Sequence, residues 1–240
     1  MKMNKRIFPD VNALSHGALD ELLRILREAI QQRGRFAIAL SGGRTPAKLY
    51  QDWAANGAFL PWEKIHLFWS DERYVPKHDL LSNYRMTHEA MIAHVPIPAG
   101  NVHRVPGPDD FPTPEAAAEA YDAELRKFFR PAPPAFDLQL QGLGPEGHTA
   151  SLFPGSPALE ETKRWVMAVE APAKPPIRLT FTPPVLNQGR NTFFLVAGAD
   201  KRQILHEMEN EPGGGPSRYP AGRIQPAAGV VWYLDQAAAD

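Results

Sequence analysis

Short apolar runs of strand length alternate with longer stretches of helical periodicity along almost the whole chain, and that alternation leaves few folds open. Arg35 to Leu40, Lys64 to Trp69, Phe136 to Leu140 and Thr192 to Ala197 are the clearest strand runs. The last is nearly continuous in apolar residues, as a strand covered on both faces must be. Lys5 to Phe8, Val102 to Val105, Trp165 to Val169, Arg178 to Thr182 and Val230 to Leu234 read as further strands. From Ser15, the residues Leu19, Leu22, Leu23, Leu26 and Ile30 recur at helical spacing, and Gly34 closes the run. Thr45 with Pro46, Ser82, Thr113 with Pro114, Thr182 with Pro183, and Asp200 each carry the signature of a helix start. The helix from Ser82 is expected to reach about Ala93, that from Thr113-Pro114 to reach Phe129, and that from Asp200 to reach about Glu209, with Gly213-Gly214-Gly215-Pro216 as a loop. Such alternation predicts an α/β protein with a doubly wound, mostly parallel sheet and helices on both faces, Rossmann-like in outline. No internal repeat or low-complexity linker divides the 240 residues, so one domain spanning 1–240 is expected.

A sheet of this kind needs a large apolar interior, and the 43% hydrophobic and 22% charged composition supplies one. The formal net charge of −1 sets up no global field that would select nucleic acid or an anionic membrane, so neither is expected as a partner and any anion site is local. The chain has no cysteine, which excludes disulfides, thiolate metal sites and cysteine nucleophiles and fits a reducing compartment. Neither a signal-peptide pattern at the N-terminus nor an apolar run near the ~18 residues of a membrane span is present, so a cytoplasmic location is expected.

One strand end stands out chemically. Phe136 to Leu140 runs into glycines at 142, 144 and 147, followed at once by His148, with Glu146 two residues before it. Glycines let the backbone turn sharply and approach a ligand. Open α/β sheets bind ligands at the carboxyl edge of their strands, so this turn presents an imidazole where a ligand is expected. His148 is read as a catalytic base. Gly142-x-Gly144-x-x-Gly147 also spells a dinucleotide fingerprint, with Glu170 at a suitable distance. That reading fails because Glu146 would put negative charge where a pyrophosphate rests, and because Pro154 and Pro157 break the helix it requires.

Other strand ends offer partners. Ser41-Gly42-Gly43-Arg44-Thr45 follows a buried strand and is either a nest of N–H groups for an anion or a plain strand-to-helix turn. It lacks the Gly-Lys-Ser/Thr ending of a P-loop. Asp71-Glu72-Arg73 ends another strand, as a substrate contact or a surface ion-pair cluster. Arg178 lies on an apolar strand, where a buried guanidinium needs an anionic partner. Lys201 falls in a first helical turn, where a cation is disfavoured unless an anion binds there, or it is simply solvated. Ser151 is expected to cap or pack the turn after His148. His88 and His94 are six apart, unlike the i, i+4 pairs of helical zinc ligands, so no metal is expected; no cofactor is expected either.

Taken together and in order, these residues resemble the 6-phosphogluconolactonase family. The matching segments are Leu40-Ser-Gly-Gly-Arg-Thr-Pro46, Trp69-Ser-Asp-Glu-Arg73 with Ser82-Asn-Tyr84, and Gly142 through His148 to Pro154. Pro176 to Thr182 with Asn187, Gly198-Ala-Asp-Lys201, and Pro220-Ala221 with Trp232 complete the set. The family usually has Asp where this chain has Glu146. The resemblance implies metal-free hydrolysis of 6-phospho-D-glucono-1,5-lactone to 6-phosphogluconate, the second step of the oxidative pentose phosphate pathway. The residues suit that chemistry: His148 to activate water with Glu146 beside it, and Arg73 or glycine N–H groups for the oxyanion. Arg178, Lys201 and the Ser41–Thr45 turn suit the phosphate, and Asp71, Gly144 and Gly147 complete the substrate site. The related glucosamine-6-phosphate deaminase/isomerase family shares the sheet and both turns but has a Glu where this chain has Phe153. A non-catalytic sugar-phosphate sensor would have no use for His148 and Glu146.

Overall fold

The computed structural model describes residues 3–212 and 215–240. Met1, Lys2 and the Gly213-Gly214 half of the expected glycine loop lie outside the described residues. β1 (Asn4–Phe8) leads into α1 (Val11–Arg33), which starts earlier than its apolar spacing suggests. The Asn12 and Ala13 N–H groups donate to Asp10 Oδ1 at 2.8 and 2.9 Å, so an aspartate cap sets the start, four residues before Ser15. Gly34, at φ +74°, closes the helix as expected.

β2 (Phe36–Leu40), buried at every position, is followed by α2 (Arg44–Ala55). The cap of α2 is Gly43 and not Thr45, a correction with a clear cause. The chain leaves β2 through φ +109° at Gly43, a conformation threonine resists, so Thr45 lies inside the first turn. β3 (Ile65–Trp69) is followed after one residue by β4 (Asp71–Arg73). α3 (Asn83–Ala90) is capped by Ser82, whose Oγ accepts from the Arg85 N–H, and it ends short of Ala93. β5 (Val102–His103) precedes α4 (Pro114–Phe129), whose bounds and Thr113 cap agree with the sequence reading. β6 (Leu138–Gln141), β7 (Val166–Glu170), β8 (Ile177–Phe181), α5 (Pro183–Leu186) and β9 (Thr192–Val196) follow. A 3₁₀ turn at Ala199–Lys201 leads into α6 (Arg202–Glu209), and β10 (Val231–Asp235) with α7 (Gln236–Ala239) ends the described chain.

Among the described residues, seven strands form a parallel sheet in the order β1-β10-β9-β6-β2-β3-β5. From β2 the chain moves outward through β3 to β5, then returns to the other side of β2 as β6 and moves outward again to β9 and β10. The strand order therefore reverses between β2 and β6, which is where a doubly wound sheet leaves a crevice. β4, β8 and β7 form a second, antiparallel sheet that periodicity does not reveal. It is tied to the main body by Asp122 of α4, whose Oδ2 accepts from the Trp165 and Val166 N–H groups at 2.6 and 3.2 Å. No helix among the described residues is long and apolar enough to cross a membrane.

Candidate active site

The turns leaving β2 and β6 face each other across the reversal point. Ser41, Gly42 and Gly43 from one turn, and Gly142, Leu143 and Gly144 from the other, line a cavity of about 160 Å³. Asp71, Arg73, Asn83, His148, Thr149, Ala150 and Arg178 complete its wall. A larger cleft of about 530 Å³ shares Gly42, Gly43, Gly142 and Leu143 with it and carries Arg44, Thr45, Lys48, Lys201, Asp200 and Asp235. The structure thus gathers eleven of the thirteen expected site residues along one continuous wall. Glu146 and Gly147 stand behind it, against His148 and not in the lining.

The His148 turn has no helix. Gly147 N–H donates to Gly144 O at 3.0 Å, and Gly144 N–H donates to His148 O at 2.9 Å. Gly147 turns the chain at φ +74°. The imidazole then packs against Gly144, so close that a Cβ there would sit 1.9 Å from His148 Cε1. Phe153 covers the ring at a centroid distance of 4.2 Å. Two residues on, Ala150 adopts φ +47°, backbone strain located on the cavity wall.

Nδ1 of His148 lies 2.8 Å from Glu146 Oε2, so the extra methylene relative to aspartate still reaches the ring. Burial pushes the Glu146 carboxyl up, but the His148 hydrogen bond and the nearby charges of His148 and Lys201 outweigh it, and the group lies below the usual range. An ionised Glu146 takes the Nδ1 proton as its hydrogen bond and leaves Nε2 as the free base. Burial lowers the His148 pKa from its ordinary 6.5, against the raising influence of Glu146 and Asp71. The imidazole is therefore neutral at neutral pH.

The antiparallel sheet supplies the cations. Arg73 and Arg178 are register partners in β4 and β8, which sets two guanidinium groups side by side on the cavity wall. Arg178 is 6% exposed, donates from Nε to Pro175 O at 2.9 Å, and has no carboxylate at ion-pair distance among the described residues. Burial and the adjacent Arg73 lower its pKa and outweigh the raising influence of the nearby Asp71 and Glu72 carboxylates. Arg73 donates from Nη1 to Leu81 O at 2.7 Å, while its buried Nε has no partner.

Asp71 and Glu72 are buried, not a surface ion-pair cluster. Glu72 accepts from the N–H groups of Arg73, Asn83 and Tyr84 at 2.8, 2.8 and 2.7 Å and from Ser82 Oγ at 3.1 Å. It binds β4 to the start of α3 and takes no place in the cavity. Asp71 Oδ2 accepts from Ser151 Oγ at 2.7 Å, so Ser151 packs the turn as expected. Lys201 sits on the 3₁₀ turn, not in the first turn of a helix opened by Asp200, and pairs with Asp200 at 3.2 Å.

Sequence reasoning missed Asn83 and Lys48, and it named Phe153 only as a missing acid. Asn83 Nδ2 donates to Asp71 O at 3.0 Å, and its Oδ1 lies where a Cβ on Gly42 would come within 2.0 Å, which explains that glycine. The Ser82-Asn83-Tyr84 segment was the available signal. Lys48 follows the turn at helical spacing from Arg44 but had no distinguishing neighbour. Among the described residues no three His, Asp or Glu side chains gather as a metal-ligand set.

Residues 9–233 match the family model for glucosamine-6-phosphate isomerases/6-phosphogluconolactonase. The chain is 44% identical to the 6-phosphogluconolactonase of Nostoc sp. over 99% of its own length and 98% of that protein. It is 46% identical to the 6-phosphogluconolactonase of Synechocystis sp., over 90% and 88% of the two chains. Among solved structures, that of 6-phosphogluconolactonase from Trypanosoma brucei matches with a TM-score of 0.86 at 29% identity, covering 99% of this chain and 98% of that one. With this fold, this ordered set of motifs and relatives matched over nearly their whole length, the chain belongs to the glucosamine-6-phosphate isomerase/6-phosphogluconolactonase family.

Proposed function

We propose that this chain, working as one domain, hydrolyses 6-phospho-D-glucono-1,5-lactone to 6-phosphogluconate, the second step of the oxidative pentose phosphate pathway, with His148 as general base. One observation carries the reading. The imidazole on the cavity wall has its Nδ1 committed to Glu146 and stands on the same wall as two arginines.

Nε2 of His148 takes a proton from a water as that water attacks the lactone carbonyl at C1. A positioned base of this kind is typically worth ~10²–10⁴-fold. Negative charge develops on the carbonyl oxygen, and Arg73 or the N–H groups of the glycine turns meet it. Collapse re-forms the carbonyl and breaks the C1–O5 bond. The imidazolium, held by Glu146, returns its proton to O5, and the new carboxylic acid ionises. The phosphate is gripped by Arg178, Lys201 and the Ser41-Gly42-Gly43-Arg44-Thr45 turn where the two cavities meet, with Lys48 nearby. Asp71 accepts from a sugar hydroxyl, and Gly144 and Gly147 shape the turn.

Phe153 argues against isomerase chemistry. It places an apolar ring against His148 where ring-opening of an amino sugar calls for a carboxylic acid. The test is a coupled assay with freshly generated lactone, read above the spontaneous blank, beside an ammonia-release assay with glucosamine 6-phosphate. Turnover of the lactone alone is expected. Ammonia release without lactone turnover would overturn the reading, and binding of either sugar phosphate with no turnover would make the protein a sensor.

A further inference from the structure

Pro220-Ala221 belongs to the ordered motif set, yet nothing in the chemistry above uses it. Its place in the fold supplies a reason. The turn from Gly142 to Leu152 carries His148 without a regular element of its own and depends on outside contacts to hold its shape. The Ala221 N–H donates to Gly147 O at 2.9 Å. The Tyr219 side chain lies against the same glycine, so close that a Cβ on Gly147 would stand 2.6 Å from Tyr219 Cδ1 and 2.9 Å from its Cβ. Tyr219 is itself firmly held. It is 6% exposed, its hydroxyl donates to Glu207 Oε2 of α6 at 2.6 Å, and its N–H donates to Ser217 Oγ at 3.1 Å. Arg223 Nε donates to Ser217 O at 2.7 Å and closes the loop on itself.

We infer that Tyr219, with the Ala221 N–H, is a positioning residue for the hydrolysis: it pins Gly147 and so fixes the imidazole of His148 and the carboxylate of Glu146 on either side of it. Neither Tyr219 nor Ala221 lines the cavity, so the effect acts entirely through the turn. Gly147 is the peptide between the two members of the base pair, and its displacement moves both. Misplacing a catalytic group by about 1 Å costs on the order of 10²-fold in rate. The inference rests on His148 being the base.

The test compares Tyr219→Ala, Tyr219→Phe and His148→Ala in the full chain, using the coupled lactone assay and a proton NMR titration of the His148 ring. The His148 resonance is identified by its loss in His148→Ala. Besides its own pair with Glu146, the ring is faced by the charges of Asp71 and Arg178, which none of these variants of Tyr219 alters. Tyr219→Ala is expected to lower kcat about 10- to 100-fold with KM changed less than about twofold. Its His148 titration should move from the wild-type position, up toward 6.5 where the ring loses burial and down where it loses the Glu146 hydrogen bond. Tyr219→Phe keeps the ring against Gly147, loses the hydroxyl's hydrogen bonds to Glu207 and from Arg218, and should restore turnover. Tyr219→Leu, which keeps much of the volume but not the flat ring, carries the same expectations as alanine and replaces it if that variant does not fold. Folded Tyr219→Ala or Tyr219→Leu protein with wild-type kcat overturns the inference. So does a fall in kcat with the His148 titration unmoved, which marks a smaller active fraction and no change in the base. Wild-type turnover in His148→Ala removes the base assignment itself, whereas an inactive His148→Ala beside a fully active Tyr219→Ala removes only the positioning role.

Discussion

Replacing Gly144 by alanine puts one methyl group where the His148 imidazole now lies. The new Cβ would sit 1.9 Å from Cε1, 2.1 Å from Nδ1 and 2.5 Å from Nε2 of the ring. Ordinary contact begins at about 3.5 Å, so the ring must retreat by roughly 1.5 Å. Phe153 packs against the ring at a centroid distance of 4.2 Å and restricts where it can go, so the retreat takes the ring off the line to the substrate. Gly144 is not among the glycines of positive φ, so alanine fits its backbone and the change tests the contact alone. A displacement above 1 Å costs on the order of 10²-fold, and the whole contribution of a general base is about 10²–10⁴-fold. The expected kcat for Gly144→Ala is therefore lower by about 10²- to 10³-fold, while KM, set by the phosphate cations, changes by less than about threefold. The assay is the coupled one with freshly generated lactone, with thermal melting to show that the fold is kept. A folded Gly144→Ala enzyme with kcat within about threefold of wild type would refute the argument that this glycine cradles the base.

The pH dependence follows from the sign of the His148 shift. The base must be neutral, and its folded pKa lies below 6.5, so kcat/KM should hold at neutral pH and fall along an acid limb centred below 6.5. Glu146→Gln removes the carboxylate that favours the imidazolium; the limb should move to still lower pH and kcat should drop at least about tenfold, both visible in one pH–rate series. Arg178→Ala or Lys201→Ala should each raise KM by roughly 10- to 100-fold with a smaller effect on kcat, because a hydrogen bond to a charged group is worth about 1.5–3 kcal/mol. Glu72→Gln turns an NH2 group toward backbone N–H donors in a buried site, at a cost of about 1–3 kcal/mol. In a chain of this size that should lower Tm by roughly 2–10 °C in a thermal melt.

The alternating architecture was legible because its elements carry local signals. β9 is apolar at nearly every position, and α4 is bounded by Thr113-Pro114, a cap and a first-turn proline. What stayed hidden depends on distant parts of the chain. β4 is three residues long, too short for any period, and exists because it pairs with β8. The start of α1 lies in Asp10, outside the apolar repeat that drew attention to the helix. His148 was legible because glycines and a carboxylate surround it in sequence. The pairing of Arg73 with Arg178, the cover that Phe153 gives the ring, and the seat of Asn83 under Gly42 arise only when strands and turns far apart in sequence meet. Glu146 shows the same limit from the other side: its residue type is plain in the sequence, but its reach to Nδ1 depends on the shape of the folded turn.

The central claim is that a neutral His148 removes the proton from water in lactone hydrolysis. Its most direct test is the enzyme-catalysed turnover of His148→Ala with freshly generated 6-phosphogluconolactone, at saturating substrate and with the spontaneous rate subtracted. His148→Ala is expected to show a kcat about 10²- to 10⁴-fold below wild type with KM nearly unchanged. A His148→Ala enzyme that keeps wild-type kcat would contradict that claim.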